Sequence, residues 1–312
     1  MPTSISSLTV LVPDEAGERA LSGVTGLRVV RYRQKADLPA LGADAEVLVP
    51  GFKSDNDTSA LLGRLPRLRL VQLRSAGAER WVDRLPPGVA LSDCRGAHGG
   101  LTAEWVVAGL LALLRELPTF VRYQDREQWQ SRPSETLIGK RVLLVGAGDV
   151  ADRVARRLDG FDLGLLSRVG RTRRAGVHSV DDLPELLPAH DVVVLLVPLT
   201  PQTVRMVGAE FLAAMSDGAV LVNASRGGVV DTDALVAELR SLRLRAVLDV
   251  VDPSPLPAGH PLWTMPGVLI TPHVGGIGTE ASWRERAYTV VRDQLMHVVR
   301  GGLPPNLVVN GY

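Results

Sequence analysis

The chain has 312 residues, a length more natural for two domains than for one. Its 35 basic and 34 acidic side chains leave a formal net charge of +1, which gives no sign of a nucleic-acid or anionic-membrane partner. The single cysteine, Cys94, excludes an intramolecular disulfide framework and a multi-cysteine metal site, and we expect no bound metal. No apolar run reaches the roughly 18 residues that a membrane span needs. The amino terminus lacks the basic residues with which a secretory signal peptide begins. These features predict a cytoplasmic protein.

Short apolar strands alternate with helical stretches along the whole chain. The strands predicted in the first third are Leu8–Val12, Leu27–Tyr32, Glu46–Val49, Leu70–Leu73 and Val89–Ser92. Those predicted in the second set are Arg141–Val145, Gly164–Leu166, Val192–Val197, Ala219–Asn223, Arg245–Val250 and Val268–Thr271. Because strands that alternate with helices pair in parallel through crossovers, the sequence predicts an α/β protein with two doubly wound parallel sheets.

Long helical patterns flank the second set of strands. Thr102–Leu117 has the spacing of an apolar helix with Thr102 as its cap, and Ser282–Arg300 has that of an amphipathic helix. A shorter stretch, Asp55–Leu65, is also helical in spacing. We therefore expect the chain to leave a first domain, build a second and return, over residues 1–99, 100–282 and 283–312. A ligand is expected in an interdomain cleft.

A glycine-rich turn follows the first strand of the second set. Within Arg141–Ala151, an apolar strand runs into Gly146-Ala-Gly148-Asp-Val-Ala and then into a helix. Gly146 permits the tight turn, Gly148 lets a pyrophosphate approach the backbone, and Ala151 allows close packing of helix on strand. Free N–H groups at the helix start favour phosphate, so the segment predicts a Rossmann dinucleotide-binding domain. Asp149 would repel a pyrophosphate if it pointed inward.

The end of the next strand carries arginines where an acidic residue would indicate NAD. That acid normally lies about 20 residues after the glycines and bonds the ribose 2′-hydroxyl. Here residues 165–174 are Leu-Leu-Ser-Arg-Val-Gly-Arg-Thr-Arg-Arg. Guanidinium groups such as those of Arg168 and Arg171 bind a 2′-phosphate bidentately. The segment predicts NADP as the preferred cofactor and NAD as the alternative, with a solvated basic loop as the competing interpretation.

Three further segments complete a resemblance to a known enzyme family. They are Asn223-Ala-Ser-Arg226-Gly-Gly-Val-Val-Asp231, Leu248-Asp249-Val-Val-Asp252-Pro-Ser254-Pro-Leu256 and Leu269-Ile-Thr-Pro-His273-Val-Gly-Gly276. With the glycine-rich turn and the loop Arg74-Ser75-Ala76-Gly77-Ala78, they resemble the D-isomer-specific 2-hydroxyacid dehydrogenases, which include glyoxylate/hydroxypyruvate and phosphoglycerate reductases. The resemblance implies a flavodoxin-like substrate domain in addition to the Rossmann domain.

The resemblance also implies a role for each motif. Arg226 would clamp the carboxylate and carbonyl of the substrate, and His273 would donate a proton to the carbonyl oxygen as hydride arrives from nicotinamide. These side chains suit the task, because the reaction builds negative charge on oxygen and needs a fixed cation and an acid that titrates near neutrality. Asp249 would hold the nicotinamide side of the cofactor, and backbone N–H groups of Ser75–Gly77 would receive the substrate carboxylate.

The residues expected to contact the cofactor lie in the glycine-rich turn or at strand ends of the second set. They are Gly146, Ala147, Gly148, Asp149, Val150, Arg168, Arg171, Val197, Pro198, Ala224, Ser225, Asp249, His273 and Gly275. The residues that would line the substrate pocket or pack in the core are Phe52, Arg74, Trp81 and Trp283. Histidines 98, 178, 190, 260 and 297 are interpreted as structural, and Cys94 as a small buried apolar residue.

The apolar helix bears on the oligomeric state. Its large apolar residues cover more than one face, which is more than a surface helix exposes. They are Trp105, Val106, Leu110, Leu111, Leu113 and Leu114. Burial between the two domains is one explanation. The family resemblance favours another, a homodimer formed through this helix and the Pro118–Pro133 arm.

The leading interpretation is an NADP(H)-dependent reductase of a small 2-oxo acid such as glyoxylate or hydroxypyruvate. Two alternatives stay open. The same scaffold serves dehydrogenases of other small anions such as formate or phosphite, and a catalytically weakened nucleotide-sensing protein would also keep the glycine-rich turn. The presence of both Arg226 and His273 favours an enzyme, because a sensor has less need of a proton donor.

Ser254 stands where the family has a glutamate that pairs with the catalytic histidine. Without that carboxylate, the protonated form of His273 is less favoured. Ser254 can still orient the imidazole through a hydrogen bond, and Asp252 would supply the missing charge if its loop turned inward.

We predict that the enzyme has a more acidic optimum or a lower turnover than relatives with the glutamate. Ser254→Glu should then raise turnover and extend activity to higher pH, because a carboxylate stabilises the charged imidazole. The measurement is the pH dependence of kcat/KM for both proteins. An unchanged profile and rate would show that the charge at this position is irrelevant.

Overall fold

The computed structural model describes residues 7–32, 44–51 and 61–309. The chain divides into two compact units, residues 1–98 with 278–312 and residues 99–277. The boundaries expected from the sequence followed residues 99 and 282. Each unit contains a parallel sheet with helices, so the prediction of an α/β protein with two parallel sheets is confirmed.

The first unit is built on a five-stranded sheet with the strand order β2-β1-β3-β4-β5, as in flavodoxin-like folds. Its elements are β1 (Leu8–Val12), α1 (Glu15–Leu21), β2 (Leu27–Arg31), β3 (Val47–Leu48), β4 (Leu70–Gln72), β5 (Ala90–Ser92) and the C-terminal helix α8 (Glu280–Val299). Each strand end lies within one residue of its predicted position. Phe52 and most of the predicted helix Asp55–Leu65 lie outside the described residues.

The core of the first unit explains two residues that the sequence singled out. Cys94 is fully buried, and its Sγ lies 3.4 Å from the carbonyl oxygen of Ala287. Burial, reinforced by the charge of Asp93, raises the pKa of the Cys94 thiol to about 12. The interpretation of Cys94 as a small buried apolar residue is confirmed by its place in the core. Trp81 is buried in an apolar cluster with Leu48 and similar residues, so it packs in the core.

The second unit is built on a seven-stranded sheet with the order β12-β11-β10-β9-β6-β7-β8. Its strands are β6 (Arg141–Val145), β7 (Leu165–Gly170), β8 (His178–Ser179), β9 (Val192–Leu195), β10 (Val220–Asn223), β11 (Arg245–Leu248) and β12 (Val268–Ile270). Its helices are α2 (Gly99–Leu114), α3 (Leu117–Gln124), α4 (Asp149–Leu158), α5 (Leu183–Leu186), α6 (Ala209–Ala214) and α7 (Thr232–Arg240). The strand order reverses between β6 and β9, as in Rossmann folds, which bind ligands outside the carboxyl ends of the strands at that point.

Strands β9 and β11 each end two residues before their predicted ends, and two other strands differ more. β7 extends to Gly170, beyond the predicted end at Leu166, because Ser167 and Val169 are buried while the side chains between them are partly exposed. β8 was not predicted, since two residues are too short to show a strand period.

The apolar helix α2 begins at Gly99, so Thr102 lies inside the helix and its predicted role as a cap is wrong. A side chain at Gly99 would collide with the carboxylate of Asp149, which explains the glycine at this helix start. Val106 and Leu110 are fully buried in a core shared with β6 and α4, so much of the helix is covered within its own unit. Among the described residues, no helix is long and apolar enough to cross a membrane.

His190 has a structural role, as expected. Its ring is fully buried, with Nδ1 2.6 Å from the carbonyl oxygen of Leu186 and Nε2 2.9 Å from the Ser167 hydroxyl. Burial lowers the pKa of His190, which favours the neutral ring. The histidine therefore ties the β9 start to β7 without carrying charge.

Candidate active site

Two predicted catalytic residues and one predicted cofactor-binding residue follow three neighbouring strands of the seven-stranded sheet. Arg226 comes after β10, Asp249 directly after β11, and His273 after β12. The three strands pair in parallel in the order β10-β11-β12. Their carboxyl ends therefore meet at one edge, which also carries the loops after β6 and β9.

Asp249 is buried, and its carboxylate holds the loop that contains His273. Its Oδ1 accepts hydrogen bonds from the Thr271 hydroxyl at 2.6 Å and from the Val274 N–H at 2.8 Å. Its Oδ2 accepts one from the Gly275 N–H at 2.8 Å. Three donors on one buried carboxylate form a charge-assisted network, so the segment 271–275 has a defined position relative to β11.

His273 has a left-handed backbone conformation, with φ of 57°. Its N–H donates to the carbonyl oxygens of Asp249 at 2.8 Å and Thr271 at 3.0 Å. A non-glycine residue in this conformation persists only where its surroundings impose it, and the contacts of Asp249 do so. The side chain is exposed. The loop thus presents an imidazole to solvent on a fixed backbone.

The loop that carries Arg226 is ordered by Asn223, a buried residue at the end of β10. The Asn223 Oδ1 accepts from the N–H and hydroxyl of Ser225 at 3.1 and 2.8 Å, and its Nδ2 donates to the Arg226 carbonyl oxygen at 3.1 Å. The Arg226 Nη1 donates to the Ser225 carbonyl oxygen at 2.7 Å. Gly227 packs so closely on the backbone of Val251 that no side chain fits there.

These contacts join the three motif loops. The Gly227–Val251 contact links the loop after β10 to the loop after β11, and Asp249 links the latter to the loop after β12. Asp252 and Ser254 lie in the middle loop and are exposed. Within the ranges that the structure describes, neither side chain makes a hydrogen bond or ion pair, and only the Asp252 carbonyl oxygen is bonded, to the Thr232 hydroxyl at 2.6 Å. Their predicted roles beside His273 stay predictions.

The glycine-rich turn has the features that a dinucleotide requires. Gly146 has φ of 130°, and a side chain there would lie 2.9 Å from the backbone of Leu196. Gly148 is the N-cap of α4 without any side-chain cap, and a β-carbon there would meet no atom within 4 Å. The uncapped N–H groups of a ten-residue helix thus adjoin open space where phosphate oxygens can approach. The residues present fit an NAD(P) cofactor.

Asp149 does not carry an unopposed charge at this turn. Its Oδ1 accepts from the Arg153 Nε at 2.7 Å, and its buried Oδ2 lies against Gly99 of α2. The repulsion of pyrophosphate considered from the sequence is therefore offset by the neighbouring guanidinium.

The arginines after β7 differ in their partners. Arg168 donates to the Asp152 carboxylate at 2.7 Å, whereas Arg171 is exposed at the strand end. Arg174, which was not among the predicted cofactor contacts, donates from Nη2 to the carbonyl oxygen of Ala147 at 2.9 Å. Arg174 and Val177 pair across a tight turn that contains Gly176, with φ of 71°. The arginine cluster was visible in the sequence, but nothing in the sequence indicates which arginine contacts the glycine-rich turn.

The other predicted cofactor contacts of this unit lie at the same edge of the sheet. Those after β9 are Val197 and Pro198, those after β10 are Ala224 and Ser225, and Val150 is in the first turn of α4. No group of three or more His, Cys, Asp or Glu is placed to hold a metal ion anywhere in residues 7–32, 44–51 or 61–309.

The predicted substrate loop lies in the first unit, after β4. The Ser75 hydroxyl donates to the Gly77 carbonyl oxygen at 3.1 Å, and the Ser75 carbonyl oxygen accepts from the Cys94 N–H at 2.9 Å. Ala76 is exposed. Of the side chains considered for the pocket, Arg74 is buried in an ion pair and Trp283 is buried beneath His98.

A family model matches the part of the chain that forms this site. Residues 107–275 match "D-isomer specific 2-hydroxyacid dehydrogenase, NAD binding domain". The match covers β6 to β12, with the glycine-rich turn, Arg226, Asp249 and His273.

Curated relatives and solved structures agree with that match. The chain is 31% identical to a glyoxylate reductase of Thermofilum pendens over 82% of its own length and 79% of the relative. It is 30% identical to a D-3-phosphoglycerate dehydrogenase of Methanocaldococcus jannaschii over 96% of its own length, but spans only 59% of that relative. A D-isomer specific 2-hydroxyacid dehydrogenase of Xanthobacter autotrophicus Py2, solved with NADPH and MES, has a TM-score of 0.83 and 29% identity over 98% of this chain and 100% of its own.

We predict that Asp249→Asn loosens the His273 loop. The amide can accept from only one side, so one buried N–H or hydroxyl donor loses its partner, at a cost of about 1–3 kcal/mol. Urea unfolding of the variant should show that loss of stability. Asp252→Asn is the matched control, because the exposed Asp252 side chain has no bond to lose. Equal stabilities for the two variants would contradict the role given to Asp249.

Proposed function

This chain belongs to the D-isomer-specific 2-hydroxyacid dehydrogenase family, and from that premise we propose that it reduces a small 2-oxo acid to the D-2-hydroxy acid with NADPH. Membership, which the sequence motifs predicted, makes it an NAD(P)-dependent 2-hydroxyacid dehydrogenase. Glyoxylate or hydroxypyruvate is the proposed substrate. The main support is the set of three joined loops at the carboxyl edge of the sheet that also carries the glycine-rich turn.

The proposed reduction adds a hydride to the carbonyl carbon and a proton to the carbonyl oxygen, which together give the hydroxyl group. The nicotinamide cofactor, when bound, supplies the hydride. Arg226 binds the substrate carboxylate and carbonyl and stabilises the negative charge that develops on the carbonyl oxygen. A ring N–H of His273 donates the proton to that oxygen, and the exposed ring regains a proton from solvent. Backbone N–H groups of Ser75–Gly77 receive the carboxylate in this proposal.

Residues of the second unit would hold the cofactor. The uncapped N–H groups at the start of α4 would bind the pyrophosphate, with Gly146 and Gly148 leaving room for it. Asp249 would hold the nicotinamide side of the cofactor, in addition to fixing the His273 loop. Each of these roles follows from the family motifs and is consistent with the observed positions.

The proposed preference for NADPH rests on the arginines after β7. Arg171 is exposed at the strand end, and Arg174 lies over the glycine-rich turn through its bond to Ala147. In this proposal, both offer guanidinium donors to a ribose 2′-phosphate. Arg168, also expected there, is paired with Asp152, so its charge is already opposed.

The homodimer expected from the sequence stays a prediction, as does the cytoplasmic location. One observation supports the dimer: α3 buries none of its residues, and the arm after it is exposed. The large apolar side chains exposed along this segment are Leu117, Val121, Trp129 and Ile138. In the proposed dimer, these exposed apolar side chains would be covered by the partner subunit.

The proposed function predicts NADPH oxidation with glyoxylate or hydroxypyruvate that depends on His273. His273→Gln should lower kcat by about 10²–10⁴-fold, because proton donation is lost. Arg226→Lys should lower kcat and raise KM for the oxo acid, because the bidentate contact of the guanidinium is lost. His297→Gln, at an exposed position of α8, is the matched control and should leave both constants unchanged. The assay includes 3-phosphohydroxypyruvate with NADPH, and formate and phosphite with NADP⁺, because those two anions are oxidised and not reduced. If NADPH binds but no 2-oxo acid is reduced, the proposal is wrong, and turnover of formate or phosphite would support that alternative.

The positions of the arginines after β7 predict which substitutions alter the preference for NADPH over NADH. Arg171→Ala and Arg174→Ala should each raise KM for NADPH about 10- to 100-fold and leave KM for NADH nearly constant, because only NADPH carries the 2′-phosphate. Arg168→Ala should have a smaller effect, since Asp152 already opposes that charge. Steady-state kinetics with both cofactors measure this. Equal effects on NADPH and NADH would contradict a 2′-phosphate contact.

A further inference from the structure

A buried arginine lies immediately before the proposed substrate loop. Arg74 joins β4 to Ser75, and its side chain is only 5% exposed. A guanidinium does not lose its proton in proteins, so this is a permanent charge removed from water. Such a charge is tolerated only when it is paired and hydrogen-bonded.

Arg74 satisfies that requirement through contacts from several segments of the first unit. Its Nη1 lies 2.7 Å from the Asp14 carboxylate and 3.3 Å from the Tyr288 hydroxyl, and its Nε donates to the Pro50 carbonyl oxygen at 3.2 Å. The guanidinium carbon lies 5.9 Å and 5.4 Å from the ring centroids of Trp283 and Tyr288. One side chain thus connects the segments after β1, β3 and β4 to α8.

Asp14 is the anionic partner and has two further bonds. Its Oδ1 caps α1 by accepting from the Gly17 N–H at 2.9 Å, and it also accepts from the Tyr288 hydroxyl at 2.8 Å. Burial alone would raise the pKa of Asp14, but the Gly17, Tyr288 and Arg74 contacts together hold it below its usual value. A side chain at Gly17 would lie 2.5 Å from the Tyr288 oxygen, so the glycine leaves room for this arrangement. The carboxylate therefore stays charged at neutral pH.

The backbone of Arg74 is held as well. Its carbonyl oxygen lies 3.2 Å from the His98 Nε2, and the His98 ring stacks on Trp283 with centroids 4.9 Å apart. The next residue, Ser75, is bonded through its carbonyl oxygen to the Cys94 N–H. Side chain and backbone together thus set where the Ser75–Gly77 loop begins.

We propose that Arg74 and Asp14 are positioning residues that fix the Ser75–Gly77 loop for binding of the 2-oxo acid carboxylate. The proposal rests on the function proposed above, in which N–H groups of that loop receive the carboxylate. Stability alone is a weak reason for this pair, because a buried ion pair is often no more stable than apolar residues of the same volume. The Arg74 guanidinium, held by three partners, does however restrict the direction in which the chain leaves β4.

Asp14→Asn isolates the contact between Asp14 and Arg74. Asparagine is as good an N-cap as aspartate, and its Oδ1 can keep the Gly17 and Tyr288 bonds. Its amide nitrogen would face the Arg74 Nη1, so one donor would oppose another. We expect KM for the oxo acid to rise about tenfold or more, while kcat and the Kd of NADPH change less than about twofold. Calorimetric binding of oxamate to the NADPH-saturated protein should weaken by the same factor.

Two other variants separate positioning from loss of stability. Asp191→Asn is the matched control, because Asp191 also accepts from a backbone N–H and from an arginine, both of Arg141, but at the amino ends of β6 and β9. It should lower the unfolding temperature without changing KM. Tyr288→Phe keeps the ring and removes only the hydroxyl, so it should raise KM less than Asp14→Asn and serves if the latter does not fold.

The outcomes are distinct. If the wild-type protein reduces a 2-oxo acid and Asp14→Asn or Tyr288→Phe leaves its KM and oxamate binding unchanged, the positioning role is wrong while the proposed function stands. Parallel losses of oxo-acid and NADPH binding would also overturn the role, because they indicate general destabilisation. If the wild-type protein neither reduces a 2-oxo acid nor binds oxamate, the proposed function fails, and the positioning role fails with it.

Discussion

The candidate active site depends on the buried carboxylate of Asp249. Three donors from the segment 271–275 converge on it, and the backbone of His273 is bonded to the same residue. A proton donor is effective only when its position is fixed. Because the imidazole of His273 is exposed, packing of the ring does little to fix its position. The position of His273 is instead set by Asp249, whose contacts hold the His273 backbone in a left-handed conformation.

The first unit uses a comparable arrangement of opposite charge. There a buried cation, Arg74, gathers acceptors from strand ends and lies next to a loop whose backbone N–H groups are the proposed substrate contacts. In both units the buried charge makes its hydrogen bonds within the chain. The neighbouring loop contains an exposed residue, His273 in one unit and Ala76 in the other. Charge-assisted hydrogen bonds suit this task because they are strong and directional even where apolar packing ends.

Pairing of charges also decides which groups near the glycine-rich turn remain available to a ligand. Asp149 is opposed by Arg153 and Arg168 by Asp152. Arg174 instead rests on a carbonyl oxygen, which leaves it a cation without a carboxylate partner in the described part of the chain. Thirty-two of the 35 basic residues are arginines, so composition alone could not separate these cases. The separation follows from which side chains face each other across β7 and α4.

The order of residues by itself determined the fold class, nearly all strands, the glycine-rich turn and the family, because these depend on local periodicity and on short motifs. It also placed Arg226, Asp249 and His273 after successive strands, and parallel pairing carries them to one edge. Only the tertiary structure decided the start of α2, the donors that Asp249 accepts, the partner of each arginine and the burial of Arg74 with Asp14. Those features arise from contacts between residues far apart in the chain, such as the 60-residue separation of Arg74 and Asp14, and no local pattern encodes them.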